Sequence, residues 1–361
     1  MNIILDNIIF TLQNSGGISV YWHHHIKRLQ ENRDYVLKFI EEHPTNGNLF
    51  RGFLNLAQDH FIPVKKVPMV GRYLNLNLDH HPEKAIFHSS YYRVSKNPNH
   101  VNVTTVHDFT YEHFSTGIKR FVHSAQKKNA ILNSHGIICI SENTKEDLLR
   151  FVPEAADKQI RVIHNGVDDA IFNSETAMTD KLPYDVNTYI LYVGNRSAKY
   201  KNFEIAVKTA ALVDKPLVMV GGGPLGEKDL LILDGSLPKS QYRHLGEITV
   251  KALNRAYNNA FCLLYPSSYE GFGIPPIEAQ KAGCPVVAYR ASSLPEIVGD
   301  GGILVDESNP EAFANAIRQL EDLQLRTDLI NKGMENAKNY CWENTYKETT
   351  DFYRELLESN K

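Results

Sequence analysis

The feature that most restricts the fold is a repeated alternation. A short run of consecutive apolar residues is followed by a segment of helical periodicity, and then by another apolar run. The runs fall at Ile3–Ile9, Val36–Ile40, Ala85–His88, Asn102–Val106, Gly136–Ile140 and Ile160–Ile163. After a polar stretch, Asn173–Lys181 with Pro183 beyond it, the series restarts. It continues at Tyr189–Val193, Leu217–Val220, Tyr242–Leu245, Ala260–Tyr265, Pro285–Tyr289 and Gly302–Val305. Between them lie helical segments such as Ile18–Leu29, Thr144–Arg150, Glu204–Val213, Thr249–Ala256, Pro275–Ala282 and Pro310–Leu320. Strands that are apolar along their whole length are buried on both faces, which requires parallel sheets covered by helices on either side. The pattern predicts an α/β protein of two doubly wound halves, divided near residues 173–187. A chain of 361 residues also exceeds what one hydrophobic core usually serves. Asn46–Leu78 mixes Gly, Asn, Pro and basic residues and reads as a mobile insertion.

Charge and composition narrow the function. A net charge of −3 gives no whole-chain field for nucleic acid or anionic lipid, so no nucleic-acid partner is expected. Cys139, Cys262, Cys284 and Cys341 form no CxxC pair and read as free thiols of a reducing compartment. The N-terminus MNIILDNIIFTLQ lacks a basic lead and reads as a first strand rather than a signal peptide. No apolar run approaches the roughly 18–20 residues that span a bilayer. A cytoplasmic protein is expected, with peripheral contact at the inner face of the cell membrane left open.

In doubly wound sheets, ligands sit at the carboxyl ends of strands, and the candidate residues follow strands. The most informative segment is YPSSYEGFGIPPIEAQKAG at Tyr265–Gly283. A loop containing Gly271, Phe272 and Gly273 leads through Ile274 into a helix whose first turn suits Pro275 and Pro276. Backbone N–H groups and the positive end of the helix dipole make such a start a seat for phosphate oxygens. Glu270 and Glu278 flank that seat. Acids repel phosphate, so their use there is to accept hydrogen bonds from sugar hydroxyls. The alternative is a solvated loop acid and a dipole partner. Arg196, Lys199 and Lys201 follow the strand at Tyr189–Val193 and suit a diphosphate clamp, or else a solvated basic loop. His107 ends another strand as a ligand donor or a satisfied edge histidine. Gly16–Gly17 permit close backbone approach or form a plain turn. GGGPLG at Gly221–Gly226 fits GxGxxG, but Pro224 crowds the turn and a nicotinamide site is not expected. His23–His25 splay around one helix and cannot easily share a metal. There is no Asp-x-Asp at a strand end.

Together these segments resemble the retaining glycosyltransferases of family 4, which have the GT-B fold of two Rossmann-like domains. The matching pieces are GGIS at Gly16–Ser19, VHD at Val106–Asp108, SENTKEDL at Ser141–Leu148 and IHNGVD at Ile163–Asp168. They continue with VGNRSAKYKN at Val193–Asn202, VGGGP at Val220–Pro224 and HLGEIT at His244–Thr249. The last are SYEGFGIPPIEAQKAGCPVVA at Ser268–Ala288 and SLPEIVGDGG at Ser293–Gly302. The resemblance implies an acceptor-side domain at 1–172, a nucleotide-sugar domain at 173–344, and a C-terminal helix, about 345–361, returning to the first. It implies that Arg196 and Lys201 hold the diphosphate, with Gly17 covering the phosphates and Gly271–Ile274 seating them. Glu278 would bind the ribose and Glu270 the donor sugar, which His107 would also reach. Gly246 and Glu247 would hold the base through backbone groups. One residue, Asn195, is inserted between Gly194 and Arg196 relative to the usual Gly-Arg pair.

Within the family the chain looks most like bacterial mannosyltransferases of surface-polysaccharide assembly. That likeness implies a GDP-mannose donor, no separate cofactor, and a glycan or lipid-linked acceptor. It also implies a front-face reaction with retention, in which the leaving diphosphate takes the acceptor proton. Competing readings are a nucleotide-sugar epimerase of the same fold and a non-catalytic sugar-nucleotide-binding protein. The cationic clamp and the missing acidic metal motif together predict metal independence. Transfer should persist in excess EDTA; a complete loss that magnesium or manganese restores would refute this.

Overall fold

The computed structural model describes residues 1–41, 47–64, 71–172 and 184–360. The polar break at Asn173–Lys181, Pro183, and parts of the Asn46–Leu78 stretch lie outside the described residues. The chain forms two compact units: Met1–Gly166 with Trp342–Lys361, and Val167–Cys341. Each is built on one parallel sheet, as the unbroken apolar runs require.

The N-terminal unit contains β1 (Asn2–Asp6), β2 (Val36–Ile40), β3 (Ala85–Ser89), β4 (His100–Val106), β5 (Gly136–Cys139) and β6 (Gln159–Val162), in the order β2-β1-β3-β4-β5-β6. The first strand is shorter than the apolar run Ile3–Ile9 predicts. It stops at Asp6, and Ile9–Leu12 turns into a short helix begun by Phe10 N–H on Asn7 O. Polarity at the strand's end explains the break. Asp6 and Arg93 are both buried and form a two-pronged ion pair, with Arg93 Nε 2.8 Å from Asp6 Oδ2. Ser89 donates to the same carboxylate, and Trp22 Nε1 donates to Asn7 Oδ1 at 2.7 Å.

Helices cover both faces of this sheet. Gly17–Glu31 buries Tyr21, Trp22, His25, Ile26 and Leu29. The three histidines splay: His23 lies near Phe50, His24 stacks on Trp342, and His25 shares a hydrogen bond with Tyr353. Burial pushes His25 down to about 3, so it packs as a neutral group. The C-terminal helix Trp342–Ser359 puts Phe352, Tyr353 and Leu356 into the same core. A Cβ at Gly136 would meet the ends of the Leu356 and Phe352 side chains, so glycine there helps β5 and this helix pack closely. The described parts of the 46–78 stretch are tied down: Ile62 N–H donates to Phe39 O, and Leu76 pairs with Val94 and Lys96.

The C-terminal unit contains β7 (Ile190–Val193), β8 (Leu217–Val220), β9 (Tyr242–His244), β10 (Cys262–Tyr265), β11 (Val286–Tyr289) and β12 (Gly302–Val305), in the order β12-β11-β10-β7-β8-β9. The chain runs outward from β7 to β9, then returns beside β7 with β10 and runs outward the other way. β7 and β10 therefore flank the point where the winding reverses, the place where such sheets bind ligands. All four cysteines are free, and Cys139, Cys262 and Cys284 are buried.

The ion pair beneath β1 and β3 yields a stability prediction. Asp6→Ala strands a buried guanidinium and should lower unfolding free energy by about 3–5 kcal/mol. Urea denaturation measures the difference. A loss no larger than that of an exposed Asp→Ala, such as at Asp79, counts against a supporting role for the pair.

Candidate functional site

The loops that leave β7 and β10 are laced together. The turn Lys199–Lys201 ends in Asn202, whose φ of +51° bends the chain toward β10. Its side-chain amide donates to Pro266 O at 2.8 Å, and Ser268 N–H donates to Tyr200 O at 2.8 Å. This lacing presents Lys201 Nζ to Glu270 Oε1 at 2.5 Å and to the Tyr265 hydroxyl at 3.1 Å. Both charged side chains are mostly buried, 14% and 12% exposed. The Tyr265 phenol sits against Glu270, and burial with that carboxylate holds it well above its ordinary pKa. A cation, an acid and a hydroxyl thus meet at one corner of the crevice.

The next turn carries the Gly271–Ile274 loop and the helix start expected from the sequence. Ser292 and Ser293 both donate to Glu270 O, and Ser293 donates to Phe272 O at 2.6 Å. Phe272 is buried edge-on against Tyr340. Gly273 then takes a left-handed φ of +108° and begins the helix Ile274–Lys281. Pro275 and Pro276 remove two N–H groups, so the donors at this helix start come from the residues just before them.

Glu278, one turn into the helix, is half-buried and accepts the Tyr257 hydroxyl hydrogen at 2.8 Å. Burial is the main cause that raises its pKa to about 7; the Tyr257 hydrogen bond opposes this and nearby Asp168 adds to it. Gly246 has a φ of +72° and its carbonyl accepts Gly221 N–H, while Glu247 is exposed.

Arg196 is the other expected clamp residue, and its contacts lie within the protein. Its guanidinium is turned into the protein, with the side chain 1% exposed. Nη1 donates to Gly221 O and to His244 Nε2, and Nη2 to the carbonyls of Gly222, Gly223 and Pro224. Nε donates to Asp229 Oδ2 at 3.2 Å. With its donors so occupied, Arg196 is a positioning residue for the Gly221–Pro224 loop. That loop has three successive positive φ angles. At Gly222 a Cβ would lie 2.9 Å from both Arg196 Nη1 and Gly194 O. The GxGxxG match therefore records a loop folded around an arginine. Exposed Lys199 and half-buried Lys201 are the cations whose ammonium groups are not committed to this loop.

In the N-terminal unit, His107 follows β4, is buried, and packs edge-on against Tyr21 at 5.1 Å. Burial pushes its pKa down to about 4 and Lys127 adds to the shift, while Asp108 opposes it. The ring is neutral at pH 7. Gly17 opens its helix with no atom within 4 Å of where a Cβ would stand.

Two family models divide the chain between them: Glycosyltransferase Family 4 over residues 15–171, and Glycosyl transferases group 1 over residues 173–338. The chain belongs to glycosyltransferase family 4. It is 28% identical over 232 residues to O-antigen chain mannosyltransferase B of Escherichia coli, a match covering 61% of this chain and 60% of that one. It is 32% identical over 234 residues to D-inositol 3-phosphate glycosyltransferase of Acidothermus cellulolyticus, covering 56% and 49%. The matched stretches thus span three fifths of the first relative and half of the second. Among solved structures, sucrose-phosphate synthase of Thermosynechococcus elongatus superposes with a TM-score of 0.75 at 18% identity, over 99% of this chain and 100% of that one. HepE of Anabaena, solved with UDP and glucose, gives 0.72 at 16% identity, over 98% and 99%. The fold of this glycosyltransferase is GT-B.

Several residues that shape this candidate site were not singled out in the sequence. Ser292 and Ser293 shape the 270–272 loop. Tyr265 and Tyr257 hold the two acids, and Asp229 and His244 help hold Arg196. Tyr265 closes a strand and Tyr257 lies in a helix, so each looks like core packing until its hydroxyl is located. No described helix is long and apolar enough to cross a membrane.

The raised Glu278 carboxyl gives a pH prediction. Unfolded, the group ionises near its model value of 4.5; folded, near 7. Between these values the folded state holds more protons, so stability falls as pH rises through that window and levels off above it. Glu278→Gln should remove that fall, on the order of 1–3 kcal/mol. Chemical denaturation at pH 5 and pH 8 measures it. An unchanged pH slope in the variant sinks the assignment.

Proposed function

We propose that this glycosyltransferase moves a hexosyl group from a nucleoside diphosphate sugar to a hydroxyl of a glycan or lipid-linked acceptor, with retention, in surface-polysaccharide synthesis. The observation that carries the reading is the contact of Lys201 with Glu270 beside the Gly271–Ile274 loop. It joins one cation for phosphate, one carboxylate for sugar hydroxyls and a helix start in a single corner. The UDP and glucose bound to HepE support the donor class. The name of the E. coli mannosyltransferase supports mannose as the sugar, and the family resemblance points to GDP as its carrier.

The chemistry follows from these groups. Lys201 offsets the charge of Glu270, so a diphosphate can enter beside a carboxylate. As the bond from the anomeric carbon to the diphosphate oxygen lengthens, negative charge grows on that oxygen. Lys201 and the backbone N–H groups before Pro275 stabilise it where it develops. The acceptor oxygen bonds to the anomeric carbon from the same face, and its proton passes to the departing diphosphate. Glu270 accepts hydrogen bonds from the donor sugar. Glu278 accepts those of the ribose, and its raised pKa lessens its repulsion of the phosphates. His107 and Gly17 are assigned to the donor sugar and phosphates by the family resemblance. Gly246 and Glu247 are likewise assigned to the base. Arg196 acts through the loop that it holds.

A screen of UDP- and GDP-sugars by thermal shift, then transfer assays with anomeric analysis by NMR, tests the reading. An inverted product, or no stabilisation by any nucleotide sugar, refutes it. In the same assays Lys201→Ala should lower turnover about a hundredfold or more while leaving the phosphate-free nucleoside bound as in the parent. If nucleoside binding falls equally, Lys201 supports the fold and not the transition state.

A further inference from the structure

The N-terminal unit contains a cavity of about 560 Å³ to which no role has been given. Its walls include four tyrosines, Tyr73, Tyr91, Tyr92 and Tyr111. Tyr91 shares a hydrogen bond with His123 Nε2 at 2.7 Å, and Tyr111 stacks on His123 with ring centres 3.8 Å apart. The aromatic surfaces are thus fixed by each other. Two cations stand with them: Arg72, over the Tyr73 ring at 4.5 Å, and Lys119, 5.6 Å from the centre of the Tyr111 ring. The short turn carrying Arg72 is anchored, since its carbonyl accepts from Gln126 Nε2 at 2.7 Å. Asp108, the acid in the lining, is faced by Lys127 and accepts Thr110 N–H.

The cavity shares residues with an exposed apolar stripe. The helix Gly117–Leu132 buries Gln126, Lys127, Ala130 and Ile131. It leaves Ile118 (82% exposed), Phe121 (74%), Val122 (37%) and Ala125 on a different face. These four sit at i, i+3, i+4 and i+7, the spacing of an apolar face that expects a cover. Ile118 and Val122 line the cavity as well. Exposed Lys119 and Arg120 flank the stripe.

Aromatic walls suit the faces of a sugar ring, cations in the lining suit phosphate, and an apolar rim suits hydrocarbon. We infer that this cavity binds the phosphate-linked sugar head of an amphiphile whose tail lies on the Ile118–Val122 stripe. Resting on the transferase reading above, this assigns the acceptor to the class of lipid-linked phosphosugars.

Calorimetry on the full chain tests it with three probes: dodecyl phosphate below its micelle concentration, inorganic phosphate, and dodecyl maltoside. Dodecyl phosphate should bind at one saturable site at least tenfold more tightly than either of the others. Arg72→Ala and Ile118→Asp should each weaken it at least fivefold. Both residues are exposed, so both variants should keep the parent's melting temperature. Binding of GDP or UDP by the other unit serves as the control and should not change in either variant. Equal affinity for dodecyl phosphate and inorganic phosphate overturns the proposal, as does equal affinity for dodecyl maltoside or indifference to both substitutions. If no saturable site appears, and Phe121→Asp but not Arg72→Ala abolishes sedimentation with phosphatidylglycerol vesicles, the stripe is a bare membrane dock and the cavity assignment fails. If the parent binds dodecyl phosphate but no nucleoside diphosphate, the donor reading fails and the cavity assignment stands.

Discussion

The corner of the C-terminal unit where Lys201 meets Glu270 depends on one buried guanidinium. Arg196 gathers the carbonyls of Gly221, Gly222, Gly223 and Pro224, the Asp229 carboxylate and the His244 ring around a single side chain. Carbonyls that converge on one point repel each other unless a cation sits among them. The planar fork of arginine meets several acceptors at once, which a lysine ammonium does not. The result ties the loop after β7 to the loop after β8 and to the end of β9. Lys201, a few residues along the same β7 loop, can then be held to Glu270 with little freedom.

The N-terminal unit meets the same problem with the opposite polarity. At the end of β1 the group in need of partners is the Asp6 carboxylate. It takes Arg93, from the turn after β3, and Ser89. Both devices stand where neighbouring parallel strands end together and leave polar ends to be satisfied. In each unit a buried charge with several partners fixes the loops at the strand ends. Such a pair is costly to break because either partner alone is an uncompensated charge.

This arrangement explains what could be read in the sequence and what could not. The strand-and-helix alternation gave the two parallel sheets because fully buried strands leave an unbroken apolar mark. The exception is instructive: Ile8, Ile9 and Phe10 extend the first apolar run, yet they form a helical turn because Asp6 and Asn7 are committed to side-chain partners at the strand's end. The charged residues of the candidate site were legible as Arg, Lys and Glu placed just after strands. Direction was not legible. The insertion at Asn195 leaves the spacing from Arg196 to Lys201 unchanged, yet Arg196 turns into the protein while Lys201 meets Glu270. Nothing in a linear spacing says toward which carbonyls a guanidinium turns. The glycines that receive it, Gly221–Gly223, resemble a dinucleotide loop for that reason.

The meeting of Lys201 with Glu270 also bears on how an acidic corner accepts an anion. Two unit charges 4 Å apart at an effective dielectric of 20 interact by about 4 kcal/mol, so an uncompensated carboxylate beside a phosphate seat would oppose donor binding strongly. Lys201 reduces that repulsion before any ligand arrives. The same cation then has a second partner available, because an ammonium carries three hydrogens and Glu270 and Tyr265 account for two contacts. In the proposed transfer, charge that grows on a departing phosphate oxygen would draw on that remaining capacity. Glu278 reaches a similar end by another route: burial raises its pKa to about 7, so near neutral pH it carries only part of a negative charge. One acid is neutralised by a neighbour and the other by its surroundings, and the helix start between them is left free to favour an anion.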